Sequence, residues 1–251
     1  MNGKVWLIGA GPGDAELLTL KALRVLQSCD TWLVDDLVGR DILDFAQPGT
    51  RIVHVGKRGG CKSTPQAFIL RLMARYARQG KTVARVKGGD PFIFGRGGEE
   101  WAWLAERGVD VEAVGGITAG LAVGPALGLP LTHRSVARGV ALVTAHTVDG
   151  SRPDWQALAA SQLTVVCYMG MSDVEALASE LMAAGFAASL PVAVVHRAGC
   201  AEQRHIVTRL QALAADVARS GLASPAVIVL GEVAALAAVV PEPVAGREVA
   251  A

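Results

Sequence analysis

A chain of 251 residues in which 51% are apolar and 19% charged can fill one large core or two modest ones, and that balance excludes an intrinsically disordered protein. A formal net charge of +1 offers no global field to a nucleic acid or an anionic membrane, so neither is expected as a partner. The four cysteines, Cys29, Cys61, Cys167 and Cys200, stand apart with no CxxC pair and no histidine at ligand spacing, which argues for no metal and for a reducing compartment.

Along the chain, short Val-, Ile- and Leu-rich runs alternate with longer segments of helical period, the pattern of an α/β protein with a largely parallel sheet. Strands are predicted at 4–9, 31–35, 51–55, 83–86 and 109–114, with helices at 15–28, 65–78 and 97–107. The second of these helices has Pro65 in its first turn and Gly80 past its end, as helix termini prefer. Gly115, Gly116, Gly120 and Gly124, with Pro125 and Pro130, predict a hinge between two α/β domains, 1–115 and 116–240. The most apolar stretch, 117–131, is too short and too broken by Gly and Pro to span a bilayer. Beyond it, strands are predicted at 140–144, 163–169, 192–195 and 226–230 and helices at 172–184 and 210–220, while 241–251 lacks any apolar period and reads as a disordered tail. No signal-like segment precedes the first strand, so a cytoplasmic location is expected.

The loop Gly9-Ala-Gly-Pro-Gly-Asp14 between the first strand and the first helix invites a dinucleotide reading, with Asp35 as the ribose-binding acid. The spacing fails, because position 14 is Asp where the third glycine should stand. Pro12 removes a backbone donor, and Asp14 would repel a phosphate while serving well as an N-cap. A ligand without phosphates fits better. Between Arg51 and Arg96 there are eleven Lys or Arg residues and one acid, Asp90. Arg71, Arg75 and Arg78 have the spacing of a solvated helix face, whereas Lys57, Arg58, Lys62 and Arg96 lie in Gly-rich turns that a polyanion could reach.

That loop followed by Leu17-Leu-Thr-Leu20, Gly56-Lys-Arg-Gly-Gly60 with Gln66, Lys87-Gly-Gly-Asp-Pro-Phe-Ile-Phe-Gly-Arg-Gly-Gly-Glu-Glu100 and Pro130-Leu-Thr-His-Arg134 together resemble the tetrapyrrole methylase family, in the branch that acts on uroporphyrinogen III. The resemblance runs from about residue 3 to residue 235. It implies two α/β domains with S-adenosylmethionine between them, a homodimer, and two methyl transfers to rings A and B that yield precorrin-2 and S-adenosylhomocysteine. It also implies that Pro12, Gly88, Gly89, Asp90, Ile93, Thr118, Ala119, Met169 and Ala198 contact the methyl donor. Lys62 stands where a histidine is usual, Ala145 where Thr-Gly-His has glycine, and Ala198 where many relatives have glycine.

Transfer of a methyl group from a sulfonium to carbon needs positioning and no metal. Attack by a pyrrole carbon leaves positive charge on the ring and a bridge proton to be removed. Asp35, at the carboxyl end of a strand, is the candidate base, with a turn role shared with Asp36 as the competing reading. Lys57 is the candidate proton donor, and Arg96 and Glu99 complete the candidate catalytic set. Arg58, Lys62 and Arg134 are candidates for the substrate carboxylates, which favour charge-assisted hydrogen bonds, and Arg138 is a weaker addition. Asp90 before Pro91 could shape a turn, Glu99 could stabilise a helix start, and Met169 could be core. Two other functions stay open: methylation of a later corrin precursor, and a non-enzymatic binding module on the same fold.

Overall fold

The computed structural model describes residues 3–56, 64–147 and 150–237. The chain divides into two compact units, Met1–Ala119 with Gly199–Ala201, and Gly120–Ala198 with Glu202–Ala251. In the first unit β1 (Lys4–Gly9), β2 (Thr31–Val34), β3 (Arg51–His54), β4 (Val83–Lys87) and β5 (Asp110–Val114) form one sheet in the order β3-β2-β4-β1-β5. Every pairing in it is parallel. Such a sheet is buried on both faces, which is why β2 and β4 are buried along their whole length.

The two-residue period of the strands sorts their side chains. Leu7, Leu33 and Val83 pack with Ile69, Leu70, Met73 and Ala77 of α2 (Gln66–Arg78) and Leu104 of α3 (Gly97–Ala105). Ile8, Trp32, Val34, Ala84 and Val86 face the other way, against Ala22 and Leu26 of α1 (Leu20–Ser28). The predicted helix at 15–28 is interrupted. Asp14 accepts from Glu16 N and caps only a 3-10 turn, Ala15–Leu17. Leu18 and Thr19 are then extended, and Thr19 Oγ1 caps α1 by accepting from Ala22 N at 3.2 Å. At the end of α2, Gly80 adopts φ +78°, Lys81 N donates to Tyr76 O and Gly80 N to Ala77 O, so the last carbonyls find partners.

The second unit departs from a largely parallel sheet. Its strands β6 (Val140–Thr144), β7 (Thr164–Tyr168), β8 (Pro191–His196), β9 (Arg204–Arg209) and β10 (Ala226–Leu230) run in the order β6-β7-β10-β8-β9. The β6–β7 pair is parallel and the other three are antiparallel. β9 eluded the sequence reading because it is a sheet edge with charged ends and mostly half-exposed side chains. The stretch expected as a hinge holds a helix, α4 (Ala119–Leu127), with Pro125 in its last turn. It stops at Gly128, φ +58°, where Leu129 N donates to Gly124 O at 2.9 Å. A short helix without a predicted counterpart, α5 (Trp155–Ser161), is capped by Asp154. With α6 (Val174–Ala183) and α7 (Leu213–Ser220) it covers a core that includes Trp155, Val165, Leu177, Leu181, Leu213 and Ile228. No described helix is long and apolar enough to cross a membrane.

Candidate active site at the carboxyl edge of the first sheet

The loops after β1, β4 and β5, three neighbouring strands, meet backbone to backbone. A Cβ on Gly9 would lie 2.6 Å from both Gly116 N and Gly89 O, and one on Gly116 would lie 2.3 Å from Gly89 O. Glycine is required at these positions by close approach rather than by φ. Gly11 and Gly89 exchange hydrogen bonds, Gly89 N to Gly11 O at 2.6 Å and Gly11 N to Gly89 O at 3.2 Å. Gly116→Ala is therefore expected to lower the stability of the chain by about 1–3 kcal/mol, the usual range for overpacking. Chemical denaturation measures it, and Gly98→Ala, whose Cβ would meet nothing within 4 Å, is the control expected to hold or gain stability.

Most backbone donors of this loop are already engaged. Ala10 N donates to Lys87 O, Gly11 N to Gly89 O and Asp14 N to Gly199 O, and Pro12 has no donor to give. The Asp14 carboxylate accepts from Glu16 N at 2.8 Å and stands at the start of the turn a phosphate would approach. An uncharged ligand part, such as a nucleoside, can lie against such a surface. The segment Gly199–Ala201 seals the loop from another side. Gly199 packs so closely on Pro12 that a Cβ there would meet its ring at 2.8 Å, and Cys200 Sγ lies 3.3 Å from Pro12 O.

The residues expected around the methyl donor fall mainly on these loops. Gly88 and Gly89 follow β4, and the Cβ position of Gly89 lies 3.6 Å from Thr118 Cα, with Thr118 buried ahead of Ala119 in α4. Asp90 is committed to the backbone: Oδ1 accepts from Phe92 N at 2.8 Å and Oδ2 from Gly116 N at 3.0 Å, so its carboxylate shapes a turn and ties the β4 and β5 loops together. Ile93 lies between Phe92 and Phe94, and all three expose their apolar side chains. Phe94 and Arg96 both take positive φ, +53° and +59°, a conformation that costs a side-chain-bearing residue about 1 kcal/mol or more and concentrates at functional sites. Met169 and Ala198 belong to the second unit. Met169 is half exposed with φ +58°, against its reading as a core residue, whereas Ala198 is buried.

The candidate base sits in a charged cluster. Leu33 and Arg85 are register partners on adjacent strands, and the two-residue period puts Asp35, Arg85 and Lys87 on the sheet face that α2 and α3 cover. Arg85 Nη2 donates to both Asp35 oxygens at 2.7 Å, and Arg85 Nε donates to Glu100 Oε1 at 3.1 Å. Lys87 Nζ lies 3.3 Å from Asp35 Oδ2 and 3.4 Å from Glu100 Oε1, and Gln66 Nε2 donates to Glu100 Oε1 at 2.9 Å. The side chains of Glu100, Arg85 and Lys87 are 0%, 2% and 6% exposed, and that of Asp35 is 27% exposed. Two acids and two cations thus balance inside a nearly dry site.

Arg96 and Glu99 are paired with each other at the surface, Nη2 to Oε2 at 2.7 Å across one helical turn. Glu99 raises the Arg96 guanidinium above its ordinary value through this hydrogen bond, and Arg96 in turn holds Glu99 below the usual carboxylate range. Arg134 is exposed in a turn of the second unit, and Arg138 is exposed beyond it. Lys57, Arg58 and Lys62 lie outside the described residues. Among the described residues, no group of three or more His, Cys, Asp or Glu side chains is placed to hold a metal.

Arg85, Lys87 and Glu100 were passed over in the sequence. The available signal was the strand Val83-Ala-Arg-Val-Lys87, whose two cations, two residues apart, share one face. In the second unit His146 lies between Arg152 Nη1 at 2.6 Å and Ser172 Oγ at 2.8 Å. A guanidinium can only donate, so His146 Nδ1 accepts and Nε2 carries the proton toward Ser172. That histidine cannot deprotonate the serine, and the pair is no nucleophile.

An open parallel sheet with close-packed glycine loops and a charged carboxylate site at its carboxyl edge, beside a mixed α/β unit in the same chain, is the build of an α/β enzyme that binds a small molecule. The model of the tetrapyrrole (corrin/porphyrin) methylases matches residues 4–214, and the chain belongs to that family. It is 56% identical over 93% of its length, and 95% of the relative's, to a uroporphyrinogen-III C-methyltransferase of Pseudomonas aeruginosa. Among solved structures it is similar to the uroporphyrin-III C-methyl transferase of Thermus thermophilus complexed with S-adenyl homocysteine, with 41% identity, 93% and 94% of the two chains covered and a TM-score of 0.81. A cobalt precorrin-4 methyltransferase gives a TM-score of 0.82 at 29% identity, over 92% of this chain and 95% of that one.

Proposed function

We propose that this chain transfers methyl groups from S-adenosylmethionine to rings A and B of uroporphyrinogen III, yielding precorrin-2 and S-adenosylhomocysteine. The observation that carries the reading is the close-packed glycine cradle in which Gly11 and Gly89 bond to each other, beside the Asp35 cluster at the carboxyl edge of the same sheet. When bound, S-adenosylmethionine supplies a methyl group already activated on a sulfonium. Pro12, Gly88, Gly89, Ile93, Thr118 and Ala119 present uncharged surface for it, while Asp90 keeps two of the loops in register; Met169 and Ala198 are further proposed contacts.

Asp35 takes the bridge proton released after the ring carbon is methylated, using the part of its carboxylate that remains accessible. Lys57 is the proposed proton donor, and Arg58, Lys62 and Arg134 receive the substrate carboxylates. Arg96 exchanges its partner Glu99 for a substrate carboxylate, and Glu99 is left to face the positive charge that develops on the macrocycle. A homodimer and a cytoplasmic location belong to the same proposal. Methylation of a later corrin precursor is the second reading, because the cobalt precorrin-4 enzyme shares the fold as closely as the uroporphyrin enzyme does. The higher identity to the latter favours the first reading.

Anaerobic incubation with uroporphyrinogen III and S-adenosylmethionine is expected to give a product heavier by two CH2 units, since each methyl group gained is matched by a proton lost. Mass unchanged here, with turnover of a corrin precursor, would replace the first reading by the second. Arg96→Ala is expected to lower kcat/KM for the tetrapyrrole about 10- to 100-fold, the value of one charge-assisted hydrogen bond, while calorimetric binding of S-adenosylhomocysteine persists. Equal loss of both would remove Arg96 from the substrate side.

A further inference from the structure

We infer that Arg85, Lys87 and Glu100 are positioning residues that fix the carboxylate of Asp35 in the orientation needed for proton removal, an inference that rests on the reading of Asp35 as the proton acceptor. The three are almost fully buried and Asp35 alone among the four reaches solvent, so whatever the cluster does to a ligand passes through Asp35. Replacing a buried ion cluster by apolar side chains is often neutral or stabilising, so fold stability does not account for four charges on the face where Leu7, Leu33 and Val83 pack well. Geometry does. β4 is the central strand of its sheet, and the guanidinium plane of Arg85 is held from three sides, by Asp35, by Glu100 Oε1 and by Leu33 O at 3.3 Å. A lysine at 85 would keep the charge and lose the fork that serves both carboxylates at once.

Lys87 completes the arrangement from the strand end, spanning the same two carboxylates. Glu100 anchors both cations and is itself oriented by Gln66 from α2. Its second oxygen, Oε2, is buried with no hydrogen-bond partner among the described residues, as fits an acid retained for the cations it holds through Oε1. The sheet, α2 and α3 thus converge on one carboxylate whose lone pairs have a fixed direction, and misplacement of such a group is felt in the chemical step before it is felt in binding.

The test uses steady-state methylation of uroporphyrinogen III by the full chain, with calorimetric binding of S-adenosylhomocysteine as the measure of intact folding. Arg85→Lys and Glu100→Gln are each expected to lower kcat about 10- to 100-fold while KM for both substrates changes less than about twofold. In an Asp35→Asn background Arg85→Lys is expected to cause no further loss, because the group it positions is gone. If Arg85→Lys fails to bind S-adenosylhomocysteine, Lys87→Gln takes its place in both backgrounds. An inactive Asp35→Asn beside a fully active Arg85→Lys, or additive losses in the double variant, would overturn the inference and leave Asp35 as the base. A fully active Asp35→Asn would instead overturn the reading of Asp35 on which it rests.

Discussion

Glu100→Ala is expected to destabilise the chain by about 3–5 kcal/mol, whereas Glu99→Ala, one residue earlier, is expected to cost less than about 1 kcal/mol. Both glutamates lie in the first turn of α3, where the helix dipole favours an acid, so their local environments differ little. Their surroundings decide the outcome. Glu100 is fully buried and takes hydrogen bonds from Arg85, Lys87 and Gln66, so its removal strands two cations beside a single remaining carboxylate. Glu99 is 59% exposed and, among the described residues, pairs with Arg96, itself 53% exposed, in water that screens most of their attraction. Urea unfolding of the two variants side by side measures the contrast. Equal and small effects would mean that the cluster relaxes without its second acid.

The acid response of the surface pair follows from the same geometry. Arg96 lowers the Glu99 pKa below its unfolded value, so the pair's contribution is present above that unfolded value and fades as pH falls through the lowered one. Solvent exposure on both partners keeps that contribution small.

The most apolar strands were legible to the residue: β1 falls at the predicted residues, and so do β6 and β10 in the second unit. Pairing direction was not legible, since Val-Ile-Val-Leu reads the same in either sense, and the mostly antiparallel second sheet emerged only from its strand order. Gly and Pro at 115–130 mark turns by local propensity, yet tertiary packing carries α4 through them and places Pro125 in the final turn. The glycine loop could be read from spacing alone, because a missing third glycine and a proline are chemical facts of the sequence. Of the charged cluster the sequence shows only two cations on one face of a strand, and not their partners. Arg85 in isolation reads as a surface cation, and only the register with Leu33 shows that it must be covered by α2 and α3.

Asp35→Asn is expected to lower kcat about 10²- to 10⁴-fold, the range a positioned general base contributes, while S-adenosylhomocysteine binds as before. The substitution preserves size and its amide oxygen can still accept from Arg85, but its NH2 replaces an oxygen that accepts from Arg85 or Lys87, so S-adenosylhomocysteine binding is the check that the strand end keeps its shape. What it removes is the capacity to take a proton, and to do so twice, since each of the two methylations releases one. The singly methylated species should therefore accumulate when the first transfer is slowed less than the second, and mass spectrometry of the quenched reaction separates the two products. A competing outcome is instructive: if Asp35→Asn forms the doubly methylated product at the original rate, solvent is sufficient to take the bridge proton, and the buried cations must be holding Asp35 for the shape of the loop after β2 rather than for chemistry.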